Sequence, residues 1–394
     1  MFRHRPHRKT ALMFSMQVFP FMLNIALIDF FIPIKYDIVV ENLPFIGFLI
    51  SLAWLSSSFL DFAVGDLTDR IGVRNTLVLG IILSSAGALL FAFSNDFVFM
   101  TAGIFIWGLS YVMYAVPSET YVLSHFPKAG SSYGCLYFFL DLAYAFAPLI
   151  ALGLINLFGI NSGIVVAAMI SLLSLPMLLS WHEKHRDGIS KAITKVIYKD
   201  GIFRKGLSDL KQMDAKQLSI LFNMFVCGFW FMTTMIGAPL LFFHRQHNIA
   251  EGAVLTFAFM VPFALMELVY GRIADSKIRR KKMITYGFIS ATVFLFAFFA
   301  ADNFFLLLAL AALITFSANM AWSGSEVAVS EYLPKNRKGE YAGIFTAAKD
   351  IGFDLAPVFY GLFAAIDLKL PFLVLGVMLF AAWLMHFAAN RQRA

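Results

Sequence analysis

The sequence predicts an all-α integral membrane protein in which twelve transmembrane helices form two six-helix bundles related by a parallel repeat. Three observations carry this expectation. Of the 394 residues, 60% are hydrophobic and only 14% are charged, more apolar side chain than a soluble core of that size can hide. The apolar residues gather into runs of about twenty residues or more, the length a helix needs to cross about 30 Å of hydrocarbon at about 1.5 Å per residue. Landmarks of the first half also return in the second at a nearly constant offset.

Taken in order, the first run (11–34) is too long for a signal-peptide core, contains Pro20 and Asp29 and lacks a small-residue cleavage site after it, so it reads as a span. The second (43–65) closes on a polar segment, Gly65 to Arg74, that leads into the third (75–94). The fourth (97–124) and fifth (133–157) carry Glu119 and Asp141, and the sixth (160–181) ends the first half. The second half repeats the series at 217–243, 250–271, 283–301, 303–330, 340–366 and 370–389. The runs are continuous and show no period-2 alternation, which favours helices over barrel strands because a helix satisfies its own backbone polar groups in lipid.

The repeat is specific. Gly65-Asp66-Leu67-Thr68-Asp69-Arg70-Ile71-Gly72-Val73-Arg74 is echoed 206 residues later by Gly271-Arg272-Ile273-Ala274-Asp275-Ser276-Lys277-Ile278-Arg279-Arg280. Asp61 and Glu267 each stand four residues before the leading glycine. Ser118-Glu119 returns as Ser325-Glu326 at an offset of 207, and Asp141 to Pro148 returns as Asp350 to Pro357 at 209. Halves of equal span number and the same orientation are the arrangement of parallel transporter repeats. The domains expected are a bundle at 1–181, a linker at 182–216 and a second bundle at 217–394. The basic linker has apolar residues spaced from Ile189 as on an amphipathic surface helix, and a plain flexible connection fits it equally.

Lys and Arg set the expected orientation. With an even number of spans both termini share a side, and 27 of the 31 basic residues fall on it, leaving Lys35, Arg245 and Lys369 opposite and Lys349 inside a span. That side should be the cytoplasm. The net charge of +7 is then a topology signal against anionic lipid, with no call for a nucleic-acid partner. Cys135 and Cys227 both fall within spans, which argues against a disulfide framework. Neither a phosphate-cradling glycine loop nor clustered metal ligands stand out, so neither an enzyme nor a metal or cofactor is expected.

Gly65 to Arg74 resembles the hinge signature between the second and third spans of the major facilitator superfamily, written G-x-L-x-D-R-x-G-R-K. Gly65, Leu67, Asp69, Arg70, Gly72 and Arg74 match it, and Val73 departs. The second copy keeps Gly271, Asp275, Arg279 and Arg280 but has Ser276 for the central arginine. The resemblance implies a secondary active transporter whose halves rock about a central site, with the hinge clamping one side. Asp69 would cap the start of the eleventh span near Glu340 to Gly343, with Arg70 and Arg74 pairing with Glu119. Asp275 and Arg279 would form a weaker gate.

Ionisable groups inside spans are costly and point to function. Asp29, Asp141, Asp350 and Asp354 are the proton-coupling candidates, although Asp29 also fits a partly solvated structural role and Asp141 with Asp350 an inherited contact. Lys349 would face another helix or an anionic substrate group. The resemblance makes the first, fourth, seventh and tenth spans line the cavity, which assigns Asn24, Trp107, Tyr111, Tyr114, Asn223, Trp230, Asn319 and Trp322 to substrate. Without it, such stripes read more readily as packing. Ala147-Pro148 in the fifth span loosely resembles an antiporter motif of that family. The expected function is proton-coupled export of a small amphipathic or organic solute by a monomer in a bacterial inner membrane. Its partners would be the solute, protons and lipids. Import of an anionic metabolite, a sensor or a lipid flippase are the alternatives.

Overall fold

The structure, a computed structural model, describes residues 8–58, 60–125, 129–180, 213–274, 276–329, 331 and 338–391. Every regular element among them is a helix. They are α1 (Arg8–Val40), α2 (Leu43–Ser58), α3 (Asp61–Ile71), α4 (Val73–Phe93), α5 (Phe97–His125), α6 (Ala129–Phe158), α7 (Ile160–Leu172) and α8 (Ser174–Leu179) in the first half. The second half has α9 (Ala215–Gln246), α10 (Ile249–Ala274), α11 (Lys277–Ala300), α12 (Phe304–Val329), α13 (Lys338–Ala364) and α14 (Leu370–Arg391). Each predicted span finds its helix or helix pair. The second is split into α2 and α3, and the sixth into α7 and α8.

Ten stretches among the described residues are long and apolar enough to cross a membrane. α2 falls short because its apolar helix is brief. α13 is absent from that set because Lys349, Asp350 and Asp354 interrupt its apolar surface. The predicted linker lies outside the described residues up to 212. α9 then opens on a capping box, in which Asp214 accepts from the Lys216 and Gln217 amides at 3.0 and 2.8 Å and the Gln217 side chain accepts from the Asp214 amide at 2.9 Å.

The chain divides into two compact units, Met1–Lys35 with Leu52–Lys199, and Tyr36–Ser51 with Asp200–Ala394. In the first, Asn24 bridges three helices, donating to the Ala167 carbonyl at 2.8 Å and accepting from Ser84. Ser85 meets Ser171 at 2.8 Å, tying α4 to α7. Hydroxyls and amides hold these helices because lipid gives little hydrophobic drive for helix association. In the second unit α9 and α13 cross with their backbones nearly in contact. A Cβ on Gly228 would sit 2.1 Å from the Lys349 carbonyl oxygen, and one on Gly352 would sit 2.2 Å from that of Phe225. Only glycine permits that approach.

Two helix ends are closed by lysines. The Lys35 ammonium donates to the carbonyls of Phe91 and, at 2.8 Å, of Ala92, where α4 runs out of amide partners. Lys369 does the same for α11, donating to the Ala301 carbonyl and to Asp302 at 2.6 Å.

Candidate functional site

The polar motif expected as a charged hinge is mostly helix. α3 carries Gly65 to Ile71, and only Gly72 leaves helical geometry, with φ 86° and ψ 160°. The helix persists because Leu67 and Ile71 are buried against Leu79 and Met113, and Thr68 returns its hydroxyl to the Val64 carbonyl at 2.7 Å. Arg74 lies in the first turn of α4 and donates to the Leu179 carbonyl at 3.1 Å, while Glu119 accepts from the Tyr137 hydroxyl at 2.7 Å. Arg70 is half-buried. The side chain of Asp69, and those at 340–343 that it was expected to cap, lie outside the described residues.

The second copy is built differently. α10 runs through Gly271 to Ala274, Asp275 lies outside the described residues, and Ser276 is extended before α11 begins. Arg279, the expected gating arginine, is exposed. One residue on, helical rotation turns Arg280 inward, where it pairs with Glu331 and donates to the Ala274 carbonyl at 3.3 Å.

Each unit gathers a buried polar cluster. In the first, α1, α5 and α6 bring together Asp29, Tyr111, Tyr114, Asp141 and Tyr144. Asp29 is buried, and its Oδ2 accepts from the Tyr144 hydroxyl at 2.7 Å. Tyr144 lies in the electrostatic reach of Tyr111 and Tyr114, and Tyr114 in that of Glu119 and Asp141. Trp107, Tyr114 and Ser118 share one buried face of α5. The Trp107 Nε1, Tyr114 hydroxyl and Ser118 Oγ have no hydrogen-bond partner among the described residues. Trp54 stands edge-on to Trp107 at 5.4 Å and to Tyr111 at 5.2 Å.

In the second unit Asn223, Cys227 and Trp230 share a buried face of α9. Both side-chain polar atoms of Asn223 and the Trp230 Nε1 lack partners among the described residues. Trp230 meets Trp322 at 6.3 Å, and Phe263 and Phe353 pack around the Trp322 ring at 5.5 and 6.3 Å. The Lys349 ammonium lies 5.7 Å from the Trp322 ring centre and 3.8 Å from Glu326. The buried Glu267 feels the charge of Glu326. On α13, Asp354 is buried and Asp350 half-buried.

Two predicted cavity residues have other work. Asn24 spends its amide on the helix bridge described above. Asn319 donates to the Phe263 carbonyl at 3.2 Å and accepts from Ser323 at 3.2 Å. A short amide on a spanning helix is readily drawn to a neighbouring backbone carbonyl. Sequence reasoning missed Tyr144 and left Glu267 as a repeat marker only. The signals were available: Tyr144 follows Asp141 by three residues and so shares its face, and Glu267 is a carboxylate inside an apolar run.

Two repeated sets of membrane-length helices, each enclosing charged and unsatisfied polar side chains, define a multi-pass secondary transporter. The chain belongs to the Major Facilitator Superfamily, whose family model matches residues 14–250 and 220–393. Among solved structures it is similar to a variant of the nucleoside transporter NupG, with TM-score 0.75 at 13% identity over 96% of this chain and 100% of that one. No curated protein matches the chain.

Proposed function

We propose that the protein exports a small amphipathic organic solute, neutral or cationic, in exchange for protons. The observation that carries this is the charge arrangement of the second cluster: Lys349 stands 3.8 Å from Glu326, whose charge also reaches the buried Glu267, so the ammonium already has a carboxylate partner. At that distance the attraction in partly wet surroundings is on the order of 1–4 kcal/mol. Lys349 is therefore compensated, which argues against an anionic cargo. The indole faces of Trp230 and Trp322 suit an apolar or cationic group. The unsatisfied buried atoms of Trp107, Tyr114, Ser118, Asn223 and Trp230 suit polar groups of a solute or water.

A solute cation and a proton compete for the same carboxylates, so loading one releases the other, and alternating access turns that competition into exchange. Asp29, held by Tyr144, is the first proton carrier in this reading, with Asp141, Asp350 and Asp354 as further members. Gly65, Asp69, Arg70, Gly72 and Arg74 supply the switch, with Gly271, Asp275 and Arg279 as its weaker counterpart. The protein works as a monomer in a bacterial inner membrane, termini in the cytoplasm, with the proton gradient as its energy source.

The test uses proteoliposomes with an imposed pH gradient and a panel of cationic, neutral and anionic organic solutes. Solute-dependent proton flux with cations or neutrals, reduced by Glu326→Gln and by Asp29→Asn, is expected. Flux driven only by anions, or solute movement indifferent to the gradient, would overturn the reading.

A further inference from the structure

About one helical turn beyond the second cluster, the second unit has a small pocket where α9 and α11 begin and α12 and α14 end. It is lined by Lys216, Ser219, Arg280, Lys281, His386 and Asn390 together with Glu331. Arg280 and, at 3.2 Å, Lys277 both engage Glu331. Two cations thus share one carboxylate, and Lys281 sits in the repulsive field of Lys216, Lys277 and Arg280. Like charges so placed destabilise one another until an anion joins them.

Two buried side chains add neutral donors. Ser219 is 1% exposed and His386 4% exposed; both residues are in the lining, and the Ser219 Oγ and His386 Nδ1 have no hydrogen-bond partner among the described residues. Asn390 Nδ2 lies 3.3 Å from His386 Nε2 and also donates to the His386 carbonyl at 2.8 Å. An amide NH2 can only donate, so Nε2 accepts and Nδ1 carries the hydrogen. The lining residues then carry two lysine ammoniums, a hydroxyl and an imidazole N–H, while the Glu331 carboxylate among them is already engaged by Arg280 and Lys277. Such a set matches an oxyanion with several acceptor oxygens. On the same stretches of α9, α11 and α14, Leu218, Ile278 and Met385 are 41%, 72% and 41% exposed, so these helix ends also carry outward apolar side chains.

We infer that this pocket binds a phosphate group, carried by an anionic phospholipid headgroup or free in solution. Bound phosphate ties together the ends of four helices and relieves the repulsion among the lysines. The test is thermal unfolding and native mass spectrometry of the full chain in detergent, titrated separately with phosphatidylglycerol, phosphatidylcholine and inorganic phosphate. Saturable stabilisation by phosphatidylglycerol above phosphatidylcholine identifies the lipid; equal stabilisation by inorganic phosphate alone identifies the free ion. Lys216→Ala with Lys281→Ala should weaken binding roughly 30-fold, about fivefold per lysine, while raising the melting temperature of the unliganded protein. Ser219→Ala, a milder change, should weaken binding without lowering that temperature. Absence of a saturable response to any of the three, or a response unchanged in both variants, overturns the inference.

Discussion

Replacing Gly352 by alanine tests the close crossing of α9 and α13 and predicts a sign that can be checked against a second glycine. The new Cβ would lie 2.2 Å from the Phe225 carbonyl oxygen and 2.8 Å from the Phe229 nitrogen, both backbone atoms that cannot rotate away. Reaching even 3.0 Å, a separation real Cβ atoms hardly ever undercut, requires α9 and α13 to part by about 0.8 Å. Overpacking of this kind costs about 1–3 kcal/mol, the upper end applying where backbone must move. Alanine returns about 1 kcal/mol in helix propensity, so a net loss of about 2 kcal/mol is expected. Gly271→Ala meets nothing within 4 Å and should stabilise by about 0.5–1 kcal/mol. Reversible unfolding in mixed micelles, followed by fluorescence of the six tryptophans, reads both. If Gly352→Ala unfolds within about 0.5 kcal/mol of the parent, a range typical of surface substitutions, the crossing is looser than described and the reasoning fails. Because Lys349 lies three residues before Gly352, the same change should also slow transport.

Three further outcomes are expected. Tyr144→Phe removes the donor to the buried Asp29 carboxylate and should lower stability by about 1–3 kcal/mol in the same unfolding assay. Glu331→Gln takes a carboxylate away from Arg280, whose side chain is 8% exposed and keeps its bond to the Ala274 carbonyl. The 3–5 kcal/mol typical of a broken buried pair falls to about 2–3 because Glu331 is 25% exposed, whereas Lys277→Met, at 66% exposure, should change stability by less than about 0.5 kcal/mol. Hydrogen bonding and charge from Lys369 hold the exposed Asp302 carboxyl below its ordinary value of 3.8. The depressed value means the tether is intact above 3.8 and is lost as pH falls through the folded value. Hydrogen exchange at the end of α11 should rise in that acid window and not above it.

The span pattern was legible because membrane thickness imposes length, and α5, α9 and α12 lie within a few residues of their predicted limits. α1 overran its expected end by six residues, since Lys35 and Asp37 look like an exit to water in the sequence yet are buried by neighbours no local pattern reveals. Asp29 and Lys349 stand out in the sequence because an ion in an apolar run is conspicuous. What each ion meets was not, and the Tyr144 and Glu326 partners came from packing. Gly72 announced itself as a motif glycine, but that it alone breaks the helix depends on Leu67 and Ile71 having a core to enter. The choice of Arg280 over Arg279 turned on one step of helical rotation, finer than boundary reasoning resolves.

The lysines that close α4 and α11 bear on how the two halves diverged. Those helices are repeat equivalents and end with the same orphaned carbonyls, yet Lys35 comes from the end of α1 and Lys369 from the approach to α14, positions the repeat does not relate. Each half therefore closes this end of the helix in its own way, although the opposite ends of the same helices carry the repeated Gly65–Arg74 and Gly271–Arg280 segments. A chimera that exchanges whole helices between halves would keep its seams but strip one end of its lysine, so transplanting α4 or α11 calls for moving its distant lysine as well.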